Sequence, residues 1–191
     1  MQHAFLPGEV PALFRPIIAP VAWLGARRPD RRACDTRAVS EHTALLNELA
    51  ATWHREIPLT ATMGIGVESY DGVTLAVRAP LAPNRNVHGT VFAGSLFSAC
   101  ALTGWGAIWL ALREHGQDGV IFAADGHIQF RKGVSGDHVC RCTPDAEALK
   151  AGIENLRATG RASFHVVCTI DQGDKRAVTF TGQYVVHAKH A

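Results

Sequence analysis

The sequence predicts an α+β domain in which an antiparallel sheet wraps around one long apolar helix, and three observations carry that expectation. Val91 to about Arg113 is apolar nearly all round, with Phe92, Leu96, Phe97, Ala101, Trp105, Ile108 and Trp109 set among Ala, Ser, Cys and Gly; such a helix is buried or spans a membrane. Around it in the chain lie about six segments with the alternation of half-buried strands. Two pairs of these are joined by short turns, at Asp71-Gly72 and Gly173-Asp174, of which Asp-Gly is a strong hairpin signal. A single apolar helix among antiparallel strands is most simply buried by a sheet that curls around it.

The elements follow in order. Ser40 is placed to cap a helix running to about Arg55, with Leu45, Leu46, Leu49 and Trp53 on one face and Pro58 ending it. Met63 to Tyr70 and Val73 to Ala79 read as two strands of a hairpin, closed by Pro80 and Pro83. The loop around Asn86 then feeds the long helix. Val120 to Arg131 alternates Val120, Phe122, Ala124, Ile128 and Phe130 against Asp125, His127, Gln129 and Arg131, which predicts one core face and one polar face. A turn over Gly133 to Asp137 leads to a strand around His138 to Thr143, then a short helix from Asp145 to Arg157 followed by Gly160. Arg161 to Asp171 and Arg176 to His187 form the closing hairpin. There are no internal repeats.

This arrangement is an α+β domain of the hotdog type. A half-open sheet around a helix leaves an edge strand and apolar rims that a second copy can cover, so a homodimer is expected. The membrane alternative rests on Val87 to Leu112, which carries no formal charge and exceeds the roughly 20 apolar residues that span a bilayer. His88, Ser95, Ser98 and Thr103 interrupt it and no second such stretch exists, so a soluble core helix is the expectation.

Of the 191 residues, positions 1–39 hold five of the nine prolines and the basic residues Arg27, Arg28, Arg31, Arg32 and Arg37, without helical or strand periodicity. They read as a poorly ordered extension ahead of a domain at 40–191, or as a basic arm for an acidic partner. The stretch has none of the pattern of a secretory signal. With 19 Lys and Arg against 17 Asp and Glu the net charge is +2, too little to suggest nucleic acid. The five cysteines, at 34, 100, 140, 142 and 168, show no zinc spacing. Cys140 and Cys142 share one strand face but are poorly placed to pair, so reduced thiols in a cytoplasmic protein, with no metal and no cofactor, are expected.

The loop Asn84-Arg85-Asn86-Val87-His88-Gly89-Thr90 runs without a break into the helix. A polar, glycine-containing turn at the start of a buried helix brings free backbone N–H groups and the positive end of the helix dipole to a dry site, where an oxyanion can be held.

The residues Thr52-Trp53-His54, Ile57-Pro58-Leu59, Ala79-Pro80-Leu81-Ala82-Pro83-Asn84, Asn86-Val87-His88-Gly89-Thr90-Val91-Phe92-Ala93-Gly94-Ser95 and Gly104-Trp105-Gly106, with Ala124-Asp125-Gly126-His127-Ile128 and Gly182-Gln183-Tyr184-Val185, make this chain similar to the YiiD C-terminal domain family of hotdog, thioesterase-like proteins. The match covers roughly residues 40–188. The resemblance implies a dimeric enzyme acting on acyl thioesters of acyl carrier protein or coenzyme A. It also implies one of two chemistries, hydrolysis or the decarboxylation of malonyl-acyl carrier protein that supplies acetyl groups to start fatty acid synthesis. A non-catalytic module that binds an acyl chain is a third reading.

Hydrolysis needs a base beside the thioester carbonyl, and many hotdog thioesterases resemble one another in carrying an Asp or Glu on the central helix. From Asn86 through Arg113 this chain has no acidic residue. Decarboxylation needs only stabilisation of the enolate oxygen and a pocket that disfavours the solvated carboxylate. Asn86 is therefore the leading catalytic candidate, its amide donating to the thioester oxygen with help from backbone N–H groups at Gly89 or Thr90; one such donor is worth about 3 kcal/mol. Asparagine also caps helices and turns. His88 and Asp125 are the candidate bases, Asp125 by reaching a neighbouring subunit's site. Gly94 and Ser95, at the helix start, are expected to contact substrate, and Asn84 to orient the loop. Ser95 lies outside a Gly-x-Ser-x-Gly elbow, which argues against a serine-hydrolase triad. Arg78, Arg85, Arg131 and Lys132 are candidates for meeting the acidic carrier protein or a coenzyme A phosphate.

Overall fold

The computed structural model describes residues 36–189, with side chains from residue 42 onward. The extension expected at 1–39 lies outside these residues up to position 35, and residues 36–39 form the beginning of helix α1. Helix α1 spans Thr36–Glu56. Ser40 is thus inside the helix and not its cap: Thr36-Arg37-Ala38-Val39 contains no glycine or proline to stop propagation toward the N-terminus. A single turn, α2 (Leu59–Thr62), follows Pro58.

Six strands form one antiparallel sheet: β1 (Gly66–Tyr70), β2 (Leu75–Ala79), β3 (Gly119–Phe130), β4 (His138–Cys142), β5 (Arg161–Gln172) and β6 (Lys175–Ala188), in the order β1-β2-β4-β5-β6-β3. The β1–β2 turn is closed by Asp71, whose Oδ1 accepts from the amides of Val73 (2.9 Å) and Thr74 (2.7 Å), the local side-chain bonding that favours Asp in turns. Helix α4 (Ala146–Thr159) links β4 to β5. Asp145 caps it by accepting from Ala148 N at 2.8 Å, and Gly160 ends it in the left-handed region at φ 73°.

The long helix α3 spans Ala93–Glu114. Although it is long and apolar enough to cross a membrane, 67% of its most apolar stretch is buried inside the fold, as the core helix of the sheet. Two glycines let it lie close. A Cβ at Gly104 would stand 2.7 Å from Tyr184 Oη, and one at Gly106 would stand 2.7 Å from Trp53 Cζ2 and 2.9 Å from Leu75 Cδ2. Tyr184 Oη in turn donates to the Ala101 carbonyl at 2.8 Å, tying α3 to β6. The inward faces of β4 and β5 add Cys140, Cys142 and Cys168, which pack with Cys100 of α3 as fully buried thiols, the Sγ atoms of Cys100 and Cys140 being 3.6 Å apart.

Strand β3 departs from the expected single alternation. Its register on β6 shifts between Ala123 and Asp125, a bulge that leaves Ala124 unpaired and reverses which parity faces the helix. Before the bulge Ile121, opposite Val186, faces inward at 8% exposure, while Val120 and Phe122 face out at 44% and 54%. After it Ile128, opposite the buried Phe180, is on the inner face. Val120 and Phe122 are therefore not core residues. As the last strand of the sheet, β3 also presents an unpaired backbone edge along its twelve residues.

Candidate active site

The segment between β2 and α3 is held by main-chain and asparagine bonds. Asn84 is buried at 2% exposure; its Nδ2 donates to the carbonyls of Met63 (2.7 Å) and Pro80 (2.8 Å), and its own carbonyl accepts from Phe92 N at 2.7 Å. Asn84 therefore orients the loop from within and is not exposed to a substrate. Val91 N donates to the Val134 carbonyl at 2.8 Å, which fixes the loop against the approach to β4.

Asn86 organises the turn itself. Its Oδ1 accepts from His88 N at 2.9 Å and Thr90 N at 3.2 Å, while its Nδ2 donates to Thr90 Oγ1 at 3.0 Å and more weakly to the Val91 carbonyl at 3.4 Å. Gly89, at φ 78°, donates its amide to the Asn86 carbonyl at 3.1 Å; a left-handed residue here suits glycine. The amides of Gly89 and Thr90 are thus engaged inside the turn, and Asn86 acts in this structure as the clasp of the loop.

The unengaged donors lie three residues on. Phe92 precedes α3 without a side-chain cap, and the first-turn amides of an α-helix have no intrahelical acceptor. Among the described residues the amides of Ala93, Gly94 and Ser95 have no hydrogen-bond partner. They stand at the positive end of a helix of 22 residues. Beside them is a hollow of about 300 Å³ lined by Asn86, Val91, Ala93, Leu96, Phe130, Arg131, Lys132 and Gly133. No carboxylate is among the residues that line it.

The remaining expected residues divide by position. Gly94 and Ser95 are at the helix start, partly buried. Arg131 and Lys132 form a cationic lip of the hollow, Arg131 also donating to Gln129 Oε1 at 2.8 Å. Arg85 is exposed on the loop, whereas Arg78 lies on β2, faces Glu68 at 3.8 Å and does not line the hollow. His88 is exposed on the turn. Asp125 sits at the bulge of β3, exposed, with Oδ1 accepting from Gly126 N at 2.7 Å. It lines a different hollow, on the outer face of the sheet, with His127, His165, Val167, Thr181 and Gln183. One chain thus brings Asn86, Ala93 at the start of α3 and the cationic lip around one hollow, and leaves Asp125 at another. Ala93 was not singled out from the sequence, and Phe130, expected on the core face of its strand, is 49% exposed and lines the hollow instead. An exact helix start was the missing signal, because its first three amides are free whatever the residue type.

Solved structures agree with this fold. A "putative thioesterase" from Shewanella oneidensis is 34% identical, with a TM-score of 0.67 over 76% of this chain and 99% of that one. A protein of unknown function from Chlorobaculum tepidum is 28% identical, with a TM-score of 0.74 over 78% of this chain and 97% of that one. A Pseudomonas aeruginosa protein described as a "Probable Thioesterase" is 19% identical, with a TM-score of 0.65 over 75% of this chain and 95% of that one, and shares the fold. Residues 46–188 match the family model described as "Putative thioesterase (yiiD_Cterm)", and with that span and the hotdog sheet the chain belongs to this thioesterase-like family.

Proposed function

We propose that this chain decarboxylates malonyl-acyl carrier protein to acetyl-acyl carrier protein, a reaction that starts fatty acid synthesis. The observation that supports this reading is a hollow that adjoins the free amides of the first turn of α3, Ala93 lining it, and has a cationic lip but no carboxylate. The thioester oxygen accepts from the amides of Gly94 and Ser95. As the bond between the α-carbon and the carboxylate breaks, its electron pair forms the enolate, whose charge on that oxygen is held by the amides and the helix dipole. Carbon dioxide leaves, and the α-carbon takes a proton from water to give the acetyl thioester. Arg131 and Lys132, with Arg85 nearby on the loop, suit the acidic carrier or a coenzyme A phosphate.

Hydrolysis is the second reading, favoured by the description of the family and of the Shewanella relative. It requires a base: the exposed His88, on the turn beside Asn86, or Asp125 carried to the hollow by a second copy. A malonyl carrier protein substrate is expected to yield the acetyl form with its thioester intact, while acetyl and longer saturated thioesters release free thiol slowly or not at all. Asp125→Asn should keep most of the malonyl rate. Thiol release from saturated thioesters at rates comparable to malonyl consumption, abolished in Asp125→Asn, would overturn decarboxylation in favour of the thioesterase.

The same reading includes a homodimer, supported by the unpaired edge of β3 and by Phe92, Phe122 and Phe130, which are 56%, 54% and 49% exposed. Three such rings and a free strand edge favour a second copy. Light scattering at micromolar concentration is expected to give twice the chain mass, and a stable monomer would refute the dimer.

A further inference from the structure

The hollow at the start of α3 lies at one end of the packed seam between α3 and β3, which runs from Ala93 and Phe130 to the contact of Phe97 with Gly126. The helix enters the seam at Ala93 and the strand leaves it at Phe130, both lining residues of the hollow. One helical turn on from Ala93, about 6 Å along the axis, Phe97 lies across the seam. Its ring meets Phe180 edge to face, with centroids 5.3 Å apart and planes at 89°. The same ring closes on the strand: a Cβ built on Gly126 would stand 3.2 Å from Phe97 Cζ and 3.0 Å from Phe180 Cε2. Gly126 faces Gly182 across the β3–β6 pair, so two glycines side by side leave the space that these rings fill. Deeper still, Trp105 Nε1 donates to the Ile121 carbonyl at 3.2 Å and joins helix to strand again.

We infer that Phe97 is the specificity-determining residue that limits the acyl group, and that the site takes short acyl thioesters only, with chains of no more than about four carbons between the amides at Gly94 and the Phe97 ring. This rests on the reading of the hollow as an acyl-thioester site, and it holds for either reaction there. A chain that runs inward from a carbonyl held at the helix start meets the ring after one turn. Phe97 is itself 38% exposed, so trimming it widens the seam from its open side and does not leave a sealed void in the core.

The test is binding of acyl carrier protein bearing S-ethyl, S-butyl and S-octyl thioethers, measured by titration calorimetry, because a thioether is neither hydrolysed nor decarboxylated. The unaltered chain is expected to bind the ethyl and butyl compounds and to gain nothing from the longer octyl tail. Phe97→Ala is expected to bind the octyl compound at least about tenfold more tightly than the unaltered chain does, since each buried methylene adds severalfold in affinity. Phe97→Leu keeps an apolar contact with Phe180, protects the fold, and should give a smaller gain in the same direction. Octyl binding that is equal in all three proteins, or an unaltered chain whose affinity climbs steadily to octyl, would overturn the role of Phe97 and leave the thioester site standing. If none of the thioethers binds the unaltered chain, the thioester site itself is refuted, and the inference with it.

Discussion

Asn86→Ala is expected to lower turnover of malonyl carrier protein by about a hundredfold while the fold survives. The side chain supplies the acceptor for the amides of His88 and Thr90 and the donor to Thr90 Oγ1, and alanine supplies neither. The loop it clasps runs directly into the first turn of α3, where the free amides are, and a displacement of about 1 Å at such a site can cost a factor of about a hundred. The loss of stability should be small, about 1–2 kcal/mol, because the turn lies at the surface and water can replace the missing partners. Asn86→Asp separates two roles. It retains an acceptor for the two amides and lacks the Nδ2 donor, so near-normal turnover would mark Asn86 as a positioning residue, and a loss as deep as that of alanine would mean that its amide is given to the substrate in the reaction. Steady-state rates with melting temperatures for both variants decide the matter; a fall of less than tenfold in Asn86→Ala would remove the loop from the mechanism.

The largest effect on stability is expected at Trp53. Its ring is 1% exposed and fills the space where α1, Gly106 of α3 and Leu75 of β2 meet. Truncation to alanine leaves a large cavity, for which losses run to about 3–5 kcal/mol, against a total stability of about 5–15 kcal/mol for a typical domain. For a chain of this size the melting temperature should fall by on the order of 10 °C. Trp53→Phe should be much milder. The buried indole Nε1 has no hydrogen-bond partner, and phenylalanine removes that unsatisfied donor along with part of the ring, so the two changes offset each other in part. Thermal unfolding of the two variants tests this, and equal losses for Ala and Phe would show that the ring's volume is not what α1 contributes.

The order of elements was legible because each carries its own period or punctuation. The unbroken apolar run at Val91 to Arg113 became α3 with ends shifted by no more than two residues, and Asp145 and Gly160 bounded α4 as cap and stop. Strand β3 was harder. A bulge costs no residue type that a sequence must display, and Ala124 looks like any other small strand residue, yet it turned Val120 and Phe122 outward and kept Ile128 inside. At the site, the sequence pointed to the amides of Gly89 and Thr90, which the turn engages, while those of Ala93, Gly94 and Ser95 are left free. Side-chain acceptors such as Asn86 Oδ1 compete for backbone donors nearby, and which amide remains free depends on where the first helical turn begins. The separation of Asp125 from Asn86 follows from the same bulge together with the sheet order, neither of which is written in local pattern.

The four core cysteines give the chain an internal clock for its own breathing. Cys100 lies on the central helix and Cys140, Cys142 and Cys168 on the two middle strands, and none of them meets solvent in the closed fold. A thiol reagent therefore modifies them only during excursions that lift the helix from the sheet. When reclosing outruns modification, the rate reports the free energy of that opening. Mass spectrometry of alkylated peptides would then read helix and strands separately, without any probe having been introduced. A ligand that grips the start of α3 would slow modification of Cys100 in proportion to how tightly it holds the helix down.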